Sequence, residues 1–360
     1  MPNSRIFELK RNYTTITHPT HAIGEQMGNI PGVFADAILR SARRRAAEGE
    51  IDRVWTSSGG VPGTSHGDLI EIGEGFYRQY VDDSGGIGRV YVRPGSPGWL
   101  GFLVYGAIGE KYIQLGGPDS WLGWPTSGEQ PFDQGGRVST FQNGAIYWWP
   151  DTGAIEFREV VVRYTGLACF GETDNDQNLS LSTADEPYVL FGIVPAVPGE
   201  PSAPRTRIYE DVDSGDSRED SIELYRGLPY GLSISAVLME HDLGDPDKYR
   251  EQVKQGVNKA SEAVVSAAEA IPPPYGPAIA LVVKVVLDEA GPYIVDFVND
   301  TLDTQDDHIG TVSFIVTPKD MVTLSRVERQ NFRGILWHMD SPLISGLGAS
   351  YKVYVDIQAE

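Results

Sequence analysis

Two hydrophobic periods divide the chain. Over 31–48, Val33, Phe34, Ala37, Ile38 and Ala42 recur at three- and four-residue spacing, the mark of one apolar helix face. Arg40, Arg43, Arg44 and Arg45 lie toward the C-terminal end of that stretch, where cations suit the helix dipole, and read as a solvated helix end. From Arg158 onward the period becomes two. Strands are predicted at 159–169, 187–194, 206–210, 222–226, 232–240, 310–317, 331–338 and 350–357; in the last, Tyr351, Val353 and Val355 alternate with Lys352, Tyr354 and Asp356. Eight such strands joined by polar turns predict an antiparallel β-sandwich. The helical period returns inside it. Residues 247–271 are Ala-rich and helical, the Pro-rich 272–277 must break that helix, and 278–302 forms a second, more apolar one. The insertion at 247–302 is therefore expected to be a helical hairpin packed over the sheet, because its second helix is apolar nearly all round and needs cover. The rival use of such a hairpin is contact with a membrane.

Between these regions the chain is built from short strands and Gly-rich turns. Residues 1–30 are polar without clear periodicity, and 56–67 read as a loop. Three parts are expected: 1–67 with one helix, 68–157 as a small β module, and 158–360 as the sandwich. The middle part contains an echo. Ile72-Gly73-Glu74 recurs as Ile108-Gly109-Glu110, and Gly88, Tyr91 and Pro94 recur as Gly144, Tyr147 and Pro150. The pattern reads as one complete repeat over 105–157, preceded by a copy that has lost its middle.

The complete copy carries Leu115-Gly116-Gly117, Leu122-Gly123-Trp124-Pro125-Thr126-Ser127, Phe141 to Gly144, Ile146-Tyr147-Trp148 and Gly153-Ala154. These segments closely resemble the LGFP repeat, with Trp124 where the family's name has Phe. The resemblance implies a surface or cell-wall-associated protein attached to the envelope through this module. The repeat concentrates aromatics: Trp121, Trp124, Tyr147, Trp148 and Trp149 are candidate ligand-binding residues, since aromatic faces stack on the apolar faces of sugar rings. The alternative is that each ring fills the small core of the module. On a strand, Trp148 and Trp149 point to opposite faces, so one of the pair is expected in the core and the other at the surface.

Composition sharpens this picture. The chain has 360 residues with 41 Gly and 24 Pro, which favours turn-rich β architecture. Its formal charge is −21, which argues against nucleic acid as a partner. The excess is uneven: residues 1–157 hold 13 basic and 17 acidic side chains, the remainder 16 and 33. Cys169, the single cysteine, excludes an internal disulfide framework and a cysteine zinc site, and reads as a small core residue.

The acids of the second half fall where predicted strands end. Glu172, Asp174 and Asp176 follow the first strand, Asp185 and Glu186 open the second, Glu240-His241-Asp242 ends the fifth, and Asp303, Asp306 and Asp307 precede the sixth. Hard divalent cations require several carboxylates on adjacent loops. The order Glu186-Pro187-Tyr188-Val189, Glu240-x-Asp242 and Asp307-His308-Ile309-Gly310 resembles the C-two domain, a calcium- and phospholipid-binding sandwich. That resemblance implies that Glu186, Glu240, Asp242 and Asp307, with Asp174 or Asp176, gather at one end to bind Ca²⁺. It departs from the family in using Glu at two positions and in the 65 residues between Asp242 and Asp307. His241 and His308 flank these acids and read as solvated or packed histidines.

No nucleophile elbow, phosphate-binding loop or His-Glu-x-x-His motif occurs. His18 and His21 are close together but lack further ligands for zinc. The expected whole is a mainly β protein with helical additions: a non-catalytic envelope-binding protein with an LGFP-type module for glycan or wall polymer and a sandwich that binds calcium. The alternatives are a secreted effector that meets membrane lipid through its hairpin and, behind it, an envelope hydrolase. No segment resembles a signal peptide, so the export route is not read from the sequence and a cytoplasmic location stays open.

Overall fold

A computed structural model of the chain describes residues 32–61, 63–65, 67–173, 184–196, 202–242, 244–269, 289–300 and 306–360. The Pro-rich break at 272–277, Asp174, Asp176, Asp303, His18 and His21 lie outside the described residues. The chain divides into two compact units, one ending at Leu103 and the other running on from Val104, with residues 86–88 of the crossing strand assigned to the second.

In the first unit, helix α1 (Gly32–Ser57) accompanies a five-stranded sheet of β1 (Thr64–Ser65), β2 (Ile70–Ile72), β3 (Gly75–Val81), β4 (Ile87–Gly95) and β5 (Gly98–Val104), in the order β1-β3-β4-β5 with β2 also on β3. The helix is longer than its sequence pattern, running nine residues past Glu48 through Gly49. Its buried face is Ala47, Ile51 and Val54, whereas Ala37 and Ala42 are exposed. The arginines are consequently mid-helix rather than at its end. Arg43 stands 5.3 Å from the Phe76 ring centroid, and Arg44 donates to the Leu69 carbonyl (3.2 Å), so both hold the β2–β3 hairpin.

The second unit begins with α2 (Gly106–Leu115), a helix in a region expected to hold only strands and turns. Ile108, Gly109 and Tyr112 are its buried residues, and Gly116 closes it in the left-handed conformation (φ 107°). Hence Ile108-Gly109-Glu110 is helical, while the echoing Ile72-Gly73-Glu74 forms a hairpin; only the second pair of landmarks, on β4 and β8, shares a strand setting. The antiparallel sheet β6 (Gln130–Pro131), β7 (Arg137–Phe141), β8 (Gly144–Trp149) and β9 (Gly153–Phe157) follows, with α2 packed on β8 and β9.

The sandwich follows without a linker. Its larger sheet is β12 (Ser217–Gly227), β10 (Val160–Gly171), β19 (Ala349–Ala359) and β17 (Met339–Asp340), with β18 (Ile344–Gly346) also on β19. The smaller is β11 (Pro187–Pro195), β13 (Leu232–Glu240) and β14 (Asp307–Val316). Period-two alternation sorts the side chains. Val189, Phe191, Ile193, Ile234, Ala236 and Leu238 point inward to meet Val162, Tyr164, Leu167, Val353 and Val355 of the larger sheet. Tyr188, Leu190, Val237 and Met239 point outward, against Tyr249, Val253 and Val257 of α3 (Pro246–Glu269) and Ile294 and Val298 of helix α4 (289–300). Through these residues both helices pack apolar side chains on the sheet, while Tyr293 of α4 stays exposed. Gly192 sits where a Cβ would press on Val257 Cγ2 at 2.9 Å, which explains how closely α3 can lie. Cys169 is buried in the central core, as expected for a small apolar side chain.

Two predicted strands take other forms. Residues 206–210 run along β11 without becoming a regular strand: Thr206 N–H donates to the Val189 carbonyl (2.9 Å) and Tyr209 N–H to that of Pro187 (3.0 Å). Pro204, two residues before Thr206, has no N–H for a regular ladder. Residues 331–338 form a hairpin of β15 (Gln330–Phe332) and β16 (Ile335–Trp337). Arg333 (φ 50°) and Gly334 (φ 98°) make a two-residue turn with both φ positive, the geometry that matches strand twist. The short α5 (Pro318–Leu324) is capped by Thr317 and Asp320 in a reciprocal capping box.

The central core does not stop at the sandwich. Phe132, Val138, Ala145, Tyr147, Trp149 and Phe157 belong to the same continuous cluster as the inner faces of the two sheets. Tyr230, just before β13, brings its ring centroid to 5.9 Å from that of Phe132. Strand β13 therefore starts beside the β6–β9 sheet and ends at Glu240, at the far end of the sandwich.

Candidate functional site: an acidic end and an aromatic module

The acidic end is assembled by register. In the β13–β14 ladder Glu240 faces Asp307, and Asp242 follows in the turn toward α3. A bulge between Leu238 and Met239 shifts the ladder so that these two carboxylates coincide. Glu240, Asp242 and Asp307 each offer an oxygen such that all three atoms lie within 4.8 Å of one another. Burial, followed by the charges of Asp242, Asp185 and Asp307, pushes the Glu240 carboxyl up to about 7. Asp242 is also raised, by burial and then by Asp307 and Asp306, with His241 opposing. Three of the six acids expected from the sequence thus converge. Glu186 contributes its backbone carbonyl to the same turn, accepting from His241 N–H (3.1 Å), but its carboxylate is not one of the group.

Two acids outside the expected ligand set, Asp306 and Asp185, shape this end. Asp306 is fully buried at its side chain and accepts from the Tyr188 hydroxyl (2.8 Å), Asp242 N–H (3.1 Å) and Gly244 N–H (2.5 Å), with His241 Nδ1 3.2 Å away. Burial alone would raise its carboxyl; these donors outweigh that effect and hold it below the ordinary carboxylate value. Asp306 therefore fixes the turn that carries Asp242. Asp185, also buried, accepts from the Thr173 hydroxyl (2.6 Å) and the Tyr351 hydroxyl (2.6 Å), tying the end of β10 to the start of β11. His308 is packed rather than aimed at the acids: its Nε2 lies 2.8 Å from Thr311 Oγ1, and burial lowers its pKa.

The five aromatics of the module divide sharply. Tyr147 and Trp149 are closed to solvent, and Trp124 is 7% exposed. These three are corrected to core residues, because a ring without an open face cannot stack on a sugar. Tyr147 and Trp149 are two apart on β8 and so share the inward face, where their rings stack at 6.2 Å. Gly136 leaves space for the Trp149 indole, whose Nε1 donates to the Asp133 carbonyl (2.9 Å). Trp148 faces the other way and is half-buried, as the alternation expects. Trp121 is the exposed one, at 38%, with the guanidinium of Arg158 5.1 Å from its ring centroid.

Among the described residues no helix is long and apolar enough to cross a membrane. The family model of the LGFP repeat matches residues 122–164. The match runs past β9 into β10, so the strand that ends the repeat also lies at the centre of the larger sandwich sheet. LGFP repeats occur in cell-envelope proteins, so the repeat suggests a cell-wall- or envelope-associated protein. No curated protein matches the chain.

Proposed function

Starting from an LGFP repeat that shares its core with an acidic sandwich, we propose a non-catalytic binding protein of the cell envelope. The repeat end takes a wall glycan or related polymer, and the acidic end takes Ca²⁺. The observation that carries the calcium part is the meeting of Glu240, Asp242 and Asp307 across the β13–β14 ladder, with Glu240 held against its own ionisation. A divalent cation would relieve that repulsion. The donors are all hard oxygens, three carboxylates can supply up to about six of them, and water can complete the six to eight that Ca²⁺ takes. The His241 ring is turned to Asp306 instead, which speaks against a zinc-like donor set. Bound Ca²⁺ would pin the end of β13, the start of β14 and the turn into α3 to one another.

The helices favour this reading over one based on membrane contact, because Tyr249, Val253 and Val257 of α3 and Ile294 and Val298 of α4 are buried on the sheet. The test is thermal unfolding of the full chain with chelator and with millimolar calcium. The melting temperature is expected to rise by several degrees with calcium, and to lose that rise in the Asp242→Asn, Asp307→Asn double variant. An unchanged melting temperature across millimolar calcium removes the metal from the function. Co-sedimentation with isolated cell-wall sacculi tests the envelope part.

A further inference from the structure

The repeat and the sandwich meet around a guanidinium with no carboxylate partner. Arg158 lies between β9 and β10, is exposed, and makes no ion pair within 4 Å among the described residues; its neighbour is the Trp121 ring. A recess opens on either side of it. The smaller, about 250 Å³, is lined by Trp121, Glu156, Arg158, Arg326 and Glu360. The larger, about 610 Å³, is lined by Gln142, Asn143, Arg158, Glu159, Leu228 and Tyr230.

Charge and hydrogen bonding give these recesses a definite character. The two carboxylates of the smaller recess are already met by cations that do not line it: Glu156 by Lys111 (2.7 Å) and Glu360 by Arg226. Arg326 donates to the Glu156 carbonyl (2.8 Å) and approaches its carboxylate only to 3.9 Å. The recess thus holds two guanidinium groups and two carboxylates, and of the four only Arg158 makes no ion pair among the described residues. In the larger recess both amides are oriented by the fold. Gln142 Oε1 accepts from Trp124 N–H (2.9 Å), and Asn143 Nδ2 donates to the Trp121 carbonyl (3.0 Å). Each amide keeps its other polar atom, Gln142 Nε2 and Asn143 Oδ1, for a ligand. Leu228, 40% exposed, and Tyr230 supply an apolar wall.

We propose that this junction is the ligand site of the repeat and that its ligand is an anionic saccharide, a sugar ring that bears a carboxylate or a phosphate. The acid group takes the open edge of the Arg158 guanidinium, which Trp121 holds in place. Ring hydroxyls take Gln142, Asn143 and Glu159, and the C–H face of the ring lies on Leu228 and Tyr230. The volumes suit an oligosaccharide crossing from one recess to the other. The inference rests on the envelope-binding reading and specifies its site and the charge of its ligand.

The test measures binding of the full chain, with chelator present, to polygalacturonate, phosphomannan, neutral mannan and isolated sacculi. The variants are Arg158→Gln and Asn143→Ala, both at exposed positions, with melting temperature as the folding control. The expected result is binding to at least one anionic polymer over mannan, weakened at least tenfold by Arg158→Gln, weakened less by Asn143→Ala, and reduced by salt. Preference between the two anionic polymers identifies carboxylate or phosphate. Unchanged binding of Arg158→Gln to sacculi and polymers overturns the junction site but leaves the envelope-binding reading standing. Failure of the wild type to bind any polymer or sacculi overturns both.

Discussion

Replacing Glu240 with glutamine keeps side-chain length and removes one of three crowded charges. In the folded chain the Glu240 carboxyl is raised from its ordinary value of 4.5 to about 7 by burial, then by Asp242, Asp185 and Asp307. A carboxyl raised on folding contributes stability that is fully present below about pH 4.5 and is lost as pH rises through about 7. At about 1.4 kcal/mol per tenfold change in proton affinity, that gap is at most about 3.5 kcal/mol. Partial exposure and solvent screening bring the expected cost of ionising Glu240 at pH 8 to about 1–2 kcal/mol. With chelator at pH 8, Glu240→Gln should therefore be more stable than wild type by that amount, or roughly 2–6 °C in melting temperature. At pH 4.5 the two should nearly coincide. Calcium should reverse the order: at a hundred times its dissociation constant it adds about 2.7 kcal/mol to the wild type, and the variant, with one ligand fewer, gains less. The assay is a set of four melts for each protein, at the two pH values with and without calcium. If Glu240→Gln is no more stable than wild type at pH 8 in chelator, the carboxylates do not oppose one another and the electrostatic argument fails.

Three further predictions follow from the same structure. Trp149→Ala should cost about 3–5 kcal/mol in urea unfolding and leave repeat and sandwich unfolding together in one transition, since they share one core; a separate early transition for the repeat would contradict that sharing. Asp306→Asn turns an amide N–H toward a site already supplied with donors, and should cost about 1–3 kcal/mol at pH 7 and weaken calcium binding. Because the Asp306 carboxyl is held below its ordinary value, its stabilisation is present above about pH 4 and lost as pH falls, so variant and wild-type stabilities should converge in acid. Gly334→Ala forces a side chain into φ 98° and against Glu219, and should cost about 1–3 kcal/mol by chemical denaturation; a neutral result would mean the β15–β16 turn is not formed as described.

The long strands were legible in the sequence as bounded runs rich in β-branched and aromatic residues, and those of the smaller sheet run apolar throughout because both of its faces are covered. The predicted spans 187–194 and 232–240 are nearly the observed β11 and β13. The β15–β16 hairpin was not, because a turn of only two residues, Arg333 and Gly334, leaves 331–338 reading as one strand. The extension of α1 was hidden by Gly49, whose presence in a helix depends on the packing of Ala47, Ile51 and Val54 rather than on its own propensity. In the repeat, the sequence separated Trp148 from Trp149, yet the same alternation also joins Tyr147 to Trp149, and that second consequence decides which rings are core.

At the acidic end, residue type was legible and register was not. Glu240 and Asp242 are two apart, so their proximity follows from local spacing. Asp307 was singled out from Asp306 by the Asp-x-Ile-Gly motif, but it joins them only because a bulge fixes the β13–β14 ladder, while Asp306 turns inward to hold the loop. Arg158 escaped notice for a different reason: it stands at the boundary drawn between repeat and sandwich, where neither pattern gives it a role.

Strand β13 gives the two ends of this molecule a fixed spacing. Its nine residues, at about 3.4 Å each, place the repeat junction roughly 30 Å from the carboxylates. The screening length at physiological salt is about 8 Å, so a charge bound at one end is electrostatically silent at the other. With no linker between repeat and sandwich, neither end can fold back to share a ligand with the other. The sandwich is then a strut rather than a clamp: it holds whatever binds at each end apart, and any thermodynamic linkage between the two has to pass through the packing of the core they have in common.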